Sequence, residues 1–237
     1  TMEIQDMEGN TLTTLTPGKS KGINVVNWNF NTKSPKMAAA KTLSFGGFTA
    51  PRVPAGKYKV VLTKGKDTYE HIIETTYDNT AITTLAERKN QEEMTQTMFK
   101  MVEDLAYMVY EIGEMQTKAQ EVINNNPKGK KVAQQLYDAL EDLRTDLVVT
   151  TGDNYVASAE PELRERMGDL YANIAGSYDR VTGAQMQNYG LIKEEFEKEK
   201  QRFEAIKNKE GKKFMKFLEK NDMELKLASK EEFLGDR

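Results

Sequence analysis

A run of apolar side chains at alternating spacings of four and three residues constrains this sequence more than any other feature. Such spacing puts every member on one side of an α-helix and is typical of a heptad seam. The chain is therefore predicted to contain one long amphipathic helix whose seam is covered by other helices. The seam comprises Met94, Met98, Met101, Leu105, Met108, Ile112, Met115, Ala119 and Val122.

Three further stretches repeat apolar residues at helical spacing, and together with the long helix they predict an antiparallel four-helix bundle. A heptad seam exposed to water would be costly, so the plain reading is that these helices cover the methionines within the chain. The alternative left open is an adaptable Met-rich groove for a partner helix. The expected core positions are Val132, Leu136, Ala139, Leu143 and Leu147 in the second helix, Leu163, Met167, Leu170 and Ile174 in the third, and Tyr189, Ile192, Phe196, Phe203 and Ile206 in the fourth.

Capping signals set the expected ends of these helices. Thr84 with Glu87 predicts a capping box at the start of the first helix, and the asparagine run before Pro127 predicts its end. Thr182 with Gln185 predicts the same box for the fourth helix. The longest interhelical break is expected over residues 150–162, and the sequence SKEEFL predicts a short helix near the C-terminus.

Before about residue 80 the apolar pattern changes to a period of two, which is typical of strands with one buried and one wet face. Short strands separated by glycine turns at this spacing predict a β-sandwich. The long segment between residues 31 and 56 is expected to be an irregular excursion across that sandwich. The predicted strands are Met2–Gln5, Thr11–Leu15, Ile23–Phe30, Lys57–Thr63 and Thr68–Thr75.

Composition removes several classes of function. The chain has no cysteine, which excludes thiol catalysis, disulfides and thiolate metal sites. His71 is the single histidine, so histidine metal clusters cannot form, and a Ser-His-Asp triad would have to use this residue. A net charge of −3 gives no sign of a nucleic-acid binder, and no apolar run reaches the roughly 20 residues that cross a bilayer. The opening residues resemble the middle of a strand, so a fragment of a longer chain is expected.

Three motifs in the first 65 residues carry a resemblance to a known family. A turn glycine at Gly9, a G-x-N-x-x-x-W pattern ending at Trp28 and a P-x-G-x-Y strand entry at Pro54–Tyr58 resemble the Ig-like sandwich of the flagellar-hook-capping type. The phrase FGGFTAPRVPAGKYKVVL, followed by a helical region, resembles the C-terminal part of bacterial sortilin-like proteins with BNR/Asp-box β-propellers. No S-x-D-x-G-x-T-W Asp-box occurs in this chain, so the resemblance implies that a propeller would lie upstream.

Two features of the N-terminal half suggest binding sites, but each also has a structural explanation. Trp28 and Tyr58 could stack on sugar rings, but their alternation favours core packing, with the tyrosine hydroxyl bonded to the backbone. The sequence GKSKG at residues 18–22 lacks the spacing and following helix of a phosphate loop. His71 is read as an ordinary strand residue.

The helical half offers charged groups but no arranged pair. The adjacent carboxylates Glu103–Asp104 and Glu194–Glu195 point about 100° apart on a helix and are read as solvated faces. The basic clusters at residues 128–131 and 209–213 suggest phosphate or an anionic surface as a partner. Acidic residues lie nearby and no aromatic row accompanies them, which disfavours nucleic-acid binding. The asparagines before Pro127 are read as a helix stop, with calcium binding as the alternative.

These observations predict an α+β chain with an Ig-like antiparallel β-sandwich over 1–80 and an antiparallel four-helix bundle over 81–237. No catalytic, cofactor-binding or metal-binding residue is assigned. The resemblance implies a non-catalytic accessory region that acts as a spacer and docks on an upstream β-propeller of the same parent or on an envelope protein, in a secreted, periplasmic or cell-surface setting. Two alternatives stay open: an accessory part of a glycoside hydrolase that shapes the propeller cleft, and an independent adhesin.

Overall fold

A computed structural model describes residues 1–152 and 159–235 and shows a mixed α+β fold. The N-terminal part forms a small antiparallel sheet of four strands in the order β2-β1-β3-β4. The helices follow along the chain, and part of the predicted 150–162 loop lies outside the described residues. The strands are β1 (Met2–Gln5), β2 (Thr11–Leu15), β3 (Gly56–Lys64) and β4 (Asp67–Thr75).

Six α-helices make up most of the rest of the described chain. They are α1 (Leu85–Asn125), α2 (Lys130–Leu147), α3 (Leu163–Ala175), α4 (Gly183–Ile206), α5 (Lys212–Glu219) and α6 (Lys230–Gly235). A π-helical turn over Lys207–Gly211, which the sequence pattern did not predict, joins α4 to α5. The short helix predicted from SKEEFL is confirmed as α6. Among the described residues, no helix combines the length and the hydrophobicity that crossing a bilayer requires.

Four of the five predicted strands are confirmed, but Ile23–Phe30 is not a strand. Asn24 accounts for part of the difference, because its side chain bonds to the backbone of Ser20 and Gly22 and holds a turn. Phe30 has a φ of 58°, a left-handed conformation that interrupts an extended chain. The described residues form one sheet rather than two, so the predicted sandwich is not confirmed.

The segment between residues 31 and 50 packs against the helices rather than across the sheet, contrary to the sequence-based expectation. Ala38 belongs to the helical core, and Lys41 N–H donates to the Val149 carbonyl over 3.0 Å. Tyr171 in α3 donates its hydroxyl to the Thr49 carbonyl over 2.9 Å. This segment, called the arm below (residues 31–50), therefore attaches the N-terminal half to the helical core. The domain division at residue 80 stays a prediction.

The heptad seam of α1 is buried along its whole length, which confirms the intramolecular reading of the methionine stripe. Helix α1 packs against α2 and α3, and α4 packs against both α2 and α3. The predicted positions of the other helices are buried too, except that Val132, Ala139 and Tyr189 are only partly covered. These contacts form a single hydrophobic core, while the antiparallel four-helix bundle as such is not confirmed.

Both predicted capping boxes are present. Thr84 Oγ1 accepts a hydrogen bond from the Glu87 N–H, and the Glu87 carboxylate accepts one from the Thr84 N–H over 2.9 Å. Thr182 and Gln185 form the same reciprocal pair at the start of α4. In each case the backbone N–H groups of the cap residue and of the third helical residue both find an acceptor.

Replacing Thr84 with alanine should lower the free energy of unfolding by about 1 kcal/mol, because the first turn of α1 loses its capping acceptor. Urea denaturation followed by circular dichroism measures this change. Thr83→Ala is the matched control, since Thr83 precedes the cap and makes none of these bonds. Equal losses for the two variants would contradict a capping role for Thr84.

Candidate docking site

The inner part of the arm has an inverted burial pattern between residues 42 and 48. The polar residues Thr42 and Ser44 are buried against the helices. The large apolar residues Leu43, Phe45 and Phe48 instead point outward, with 58%, 64% and 75% of their surfaces exposed. Exposed apolar residues that lie close together on a soluble protein are typical of an interaction site. We call Leu43, Phe45 and Phe48 the apolar patch.

A tight turn presents this patch. Phe45–Phe48 form a 3-10 helix, closed by the Gly47 N–H donating to the Ser44 carbonyl and the Thr49 N–H donating to the Gly46 carbonyl. Gly46 lies directly on α3, where a Cβ at this position would come within 3.0 Å of both the Cα and the carbonyl oxygen of Gly168. Two glycines are needed for the backbones to approach this closely.

A buried polar cluster holds the chain leading into the patch. Arg164 donates from Nε to the Ala38 carbonyl over 2.9 Å and from Nη1 to the Thr42 carbonyl over 3.0 Å. The same Nη1 pairs with Glu165 Oε1 at 2.8 Å, and Thr42 Oγ1 donates to that oxygen over 2.7 Å. Because these groups are buried and mutually bonded, the arm is fixed to α3 by directional contacts.

The chain leaving the patch is held in the same way. The Tyr171 ring is fully buried, and its hydroxyl donates to the Thr49 carbonyl. Burial raises the pKa of the Tyr171 hydroxyl well above its ordinary value, with a smaller contribution from Glu103, so the hydroxyl keeps its proton and stays a donor at neutral pH. The apolar patch is therefore bracketed by buried anchors on both sides.

A cleft of about 840 Å³ lies between the end of β4 and the start of α1. The guanidinium of Arg52 stacks over the ring of Tyr178 at 3.6 Å, and both residues line the cleft. Tyr77 donates its hydroxyl to the Glu92 carboxylate over 2.9 Å. Burial, together with that carboxylate, raises the pKa of Tyr77, so the tyrosine is the donor of the pair.

The aromatic residues Trp28 and Tyr58 in the N-terminal half pack against each other and bond to the backbone. Tyr58 is buried, and its hydroxyl donates to the Pro54 carbonyl over 2.6 Å, which confirms the predicted backbone partner. Trp28 is half-buried, packs edge-on against Tyr58 at 5.8 Å and donates from Nε1 to the Asn31 carbonyl. His71 lies exposed on β4. The contacts of Trp28 and Tyr58 with each other and with the backbone agree with the predicted packing role.

The adjacent carboxylates singled out in the helical half make different contacts. Lys36 N–H donates to Glu103 in the core, whereas its neighbour Asp104 pairs with Lys230. Glu195 pairs with Arg166 at 2.5 Å. Glu103 is buried, so the prediction of a solvated face is wrong for this residue, whereas Glu194 is exposed as predicted.

The asparagine run ends α1, as predicted. Asn126 Oδ1 accepts hydrogen bonds from the N–H groups of Lys128 and Gly129, so it serves the turn into α2. Within residues 1–152 and 159–235, no group of three or more acidic or histidine side chains is arranged to hold a metal ion. The exposed lysines 128, 130 and 131 follow this turn at the surface.

Comparison with models of known protein families, with curated proteins and with solved structures gives no match for this chain. The resemblance to sortilin-like proteins therefore depends only on the sequence motifs in the first 65 residues. The apolar patch and its anchors are described from the contacts and burial in the structure, and no related protein supports them.

Proposed function

We propose that the chain is a non-catalytic spacer and docking module, the C-terminal accessory region of a secreted or cell-envelope sortilin-like β-propeller protein. In this proposal the helices act as an antiparallel bundle that braces the sheet. The partner is the upstream propeller of the same parent. The apolar patch on the arm is the observation that carries the docking role.

Removal of the patch from water supplies the driving force for docking. Complete burial of a leucine or phenylalanine side chain contributes about 1.5 to 3 kcal/mol, so three such residues can anchor a protein interface. The turn that carries them is fixed by the Gly46–Gly168 contact and by Arg164 before binding. A preformed site avoids the entropy cost of ordering a loop on association.

The anchored arm also supports the spacer role. Its hydrogen bonds to α3 join the N-terminal half to the helical core through buried groups rather than through a solvated linker. A partner that binds the arm would therefore be held at a set distance from the helices.

Binding of the encoded propeller to this chain tests the proposal. The DNA upstream of this segment is read to obtain the propeller, which is expressed separately and titrated against residues 1–237 by biolayer interferometry. We expect binding that weakens at least 100-fold in the triple variant Leu43→Ser, Phe45→Ser, Phe48→Ser, because each truncated anchor costs more than about 1 kcal/mol.

A second triple variant controls for the loss of exposed apolar surface in general. Met186, Leu191 and Met215 are also exposed but lie on α4 and α5. Their replacement by serine should change binding less than threefold. Absence of propeller repeats upstream, or equal binding by the patch variant and the native chain, would overturn the proposal.

The cleft gives the glycoside hydrolase alternative a specific basis, since the tyrosines Tyr77 and Tyr178 and the carboxylate Glu92 line one cavity. Under this alternative, the chain would raise the rate at which the propeller hydrolyses a chromogenic glycoside. Tyr178→Ala would then remove that increase without affecting binding. The docking proposal expects the same hydrolysis rate with and without this chain.

A further inference from the structure

Charge is distributed very unevenly along this nearly neutral chain. Residues 9–66 contain ten of the 34 lysines and arginines and none of the 37 aspartates and glutamates. The rest of the chain is correspondingly acidic. A net charge of −3 conceals this separation, and a surface rich in one sign of charge attracts partners of the opposite sign.

Strand register brings four of these lysines to one end of the sheet. Leu15, the last residue of β2, pairs with Met2, and Met2 pairs with Leu62 of β3. The β3–β4 hairpin, which carries Lys64 and Lys66, continues beyond Leu62. The loop that carries Lys19 and Lys21 leaves the sheet after Leu15 at this same end, where β2 lies about two strand spacings, or 10 Å, from β3.

These lysines are available for an external partner. All four are exposed, and within the described parts of the chain none of them forms an ion pair. We call Lys19, Lys21, Lys64 and Lys66 the basic tip. Asp67, at the start of β4, is the carboxylate closest in sequence to the hairpin pair.

Two apolar residues accompany the lysines of the first loop. Ile23 is 96% exposed and Val25 is 82% exposed, values that leave both side chains almost wholly in water. The loop has a defined shape, because Asn24 bonds to Ser20 on both its amide atoms and Gly22 takes a φ of 102°. Lysines and exposed branched apolar residues are thus held on one preformed turn.

We propose that the basic tip, with Ile23 and Val25, binds the surface of an anionic lipid bilayer. Lysines near such a surface are attracted by its negative potential, and apolar side chains enter the boundary between headgroups and acyl chains. A bilayer accepts Ile23 and Val25 without a shaped pocket, which favours lipid over an acidic protein as the partner. The site lies on the sheet end and does not depend on the apolar patch of the arm.

Sedimentation with vesicles tests this proposal on the full chain. Binding is measured to vesicles of phosphatidylglycerol and phosphatidylcholine in equal parts, and to phosphatidylcholine alone. We expect binding to the anionic vesicles only, and a marked loss when salt is raised from 50 to 500 mM, because screening shortens the range of the attraction.

Lys19→Gln with Lys21→Gln should weaken binding about 30-fold, since each lysine is worth about fivefold near the surface. Ile23→Ser with Val25→Ser should weaken it at least tenfold at unchanged charge, because both side chains would lose their burial among the lipids.

The pair Lys128→Gln and Lys131→Gln is the matched control, with the same change in charge. These lysines are exposed beyond the far end of α1, whose 41 residues span about 60 Å. The control should bind vesicles within twofold of the native chain, and circular dichroism confirms that each variant folds. Equal losses in the tip and control variants, or no binding to anionic vesicles at low salt, would overturn the proposal. Tip-dependent binding to dextran sulfate without vesicle binding would also overturn it and would assign the tip to a soluble polyanion.

Discussion

Replacing Arg164 with methionine should lower the free energy of unfolding by about 4 kcal/mol, the range found when one partner of a buried ion pair is removed. The guanidinium donates to the Ala38 and Thr42 carbonyls and to Glu165, and all of these contacts disappear together. The Glu165 carboxylate would then stay buried with only Thr42 as a partner, because its Oε2 atom makes no hydrogen bond. Urea denaturation followed by far-UV circular dichroism measures the loss.

Two further variants separate the buried charge from the side chain itself. Arg166→Met removes a neighbouring arginine whose ion pair with Glu195 is 39% and 32% exposed, and it should cost less than about 1 kcal/mol. Arg164→Met combined with Glu165→Leu removes both charges and should recover much of the stability, because no uncompensated carboxylate is left. Equal costs for Arg164→Met and Arg166→Met would contradict the role assigned to burial.

The helical half could be predicted well from the sequence because its periodicity encodes burial directly. A seam such as Met94 to Val122 leaves one consistent face for the core, and the capping boxes fix the helix starts independently of packing. The π-helical turn at Lys207–Gly211 has no comparable signal. Its residues are mostly charged and compatible with a continuous helix.

The N-terminal half was harder to predict because local side-chain bonds compete with strand pairing. Residues 23–30 alternate like a strand, yet Asn24 holds a turn and Phe30 takes a left-handed conformation. Polar and apolar side chains alternate from Thr42 to Phe45, which predicts an extended chain with a polar face and an apolar face. The alternation alone does not tell which of the two faces is buried. The arm buries its polar face because Arg164 and Glu165 meet it, and on a helix such an adjacent pair normally indicates a solvated surface.

The basic tip could have been noticed in the sequence, but the net charge of the whole chain hides the local excess of lysine and arginine. Counting acidic residues over successive windows of the sequence reveals that none occurs between residues 9 and 66. Only the sheet register shows that the segments carrying residues 19, 21, 64 and 66 leave the same end of the sheet. Charge along the sequence and strand pairing are therefore both needed to find this surface.

Gly46→Ala should lower the free energy of unfolding by about 2 kcal/mol, because a new Cβ would come within 3.0 Å of the backbone of Gly168. Neither the 3-10 turn nor α3 can relieve this contact by a side-chain rotation, so the turn must move away from the helix. Thermal denaturation gives the loss, and hydrogen exchange of residues 42–49 should accelerate in the variant. The same displacement would shift Phe45 and Phe48 and weaken any partner bound to the apolar patch.

Gly47→Ala is the matched control, one residue along the same turn. Its new Cβ would meet a single side chain rather than backbone, because the nearest atom is Met37 Cγ at 3.0 Å, and a shift of a few tenths of an ångström in this methionine relieves the contact. The cost should therefore stay below about 1 kcal/mol, with hydrogen exchange of the turn unchanged. If the two alanine variants lost the same stability, the close approach of Gly46 to Gly168 would not be what holds the arm on α3, and the patch would owe its position to the Arg164 cluster and the Tyr171–Thr49 hydrogen bond.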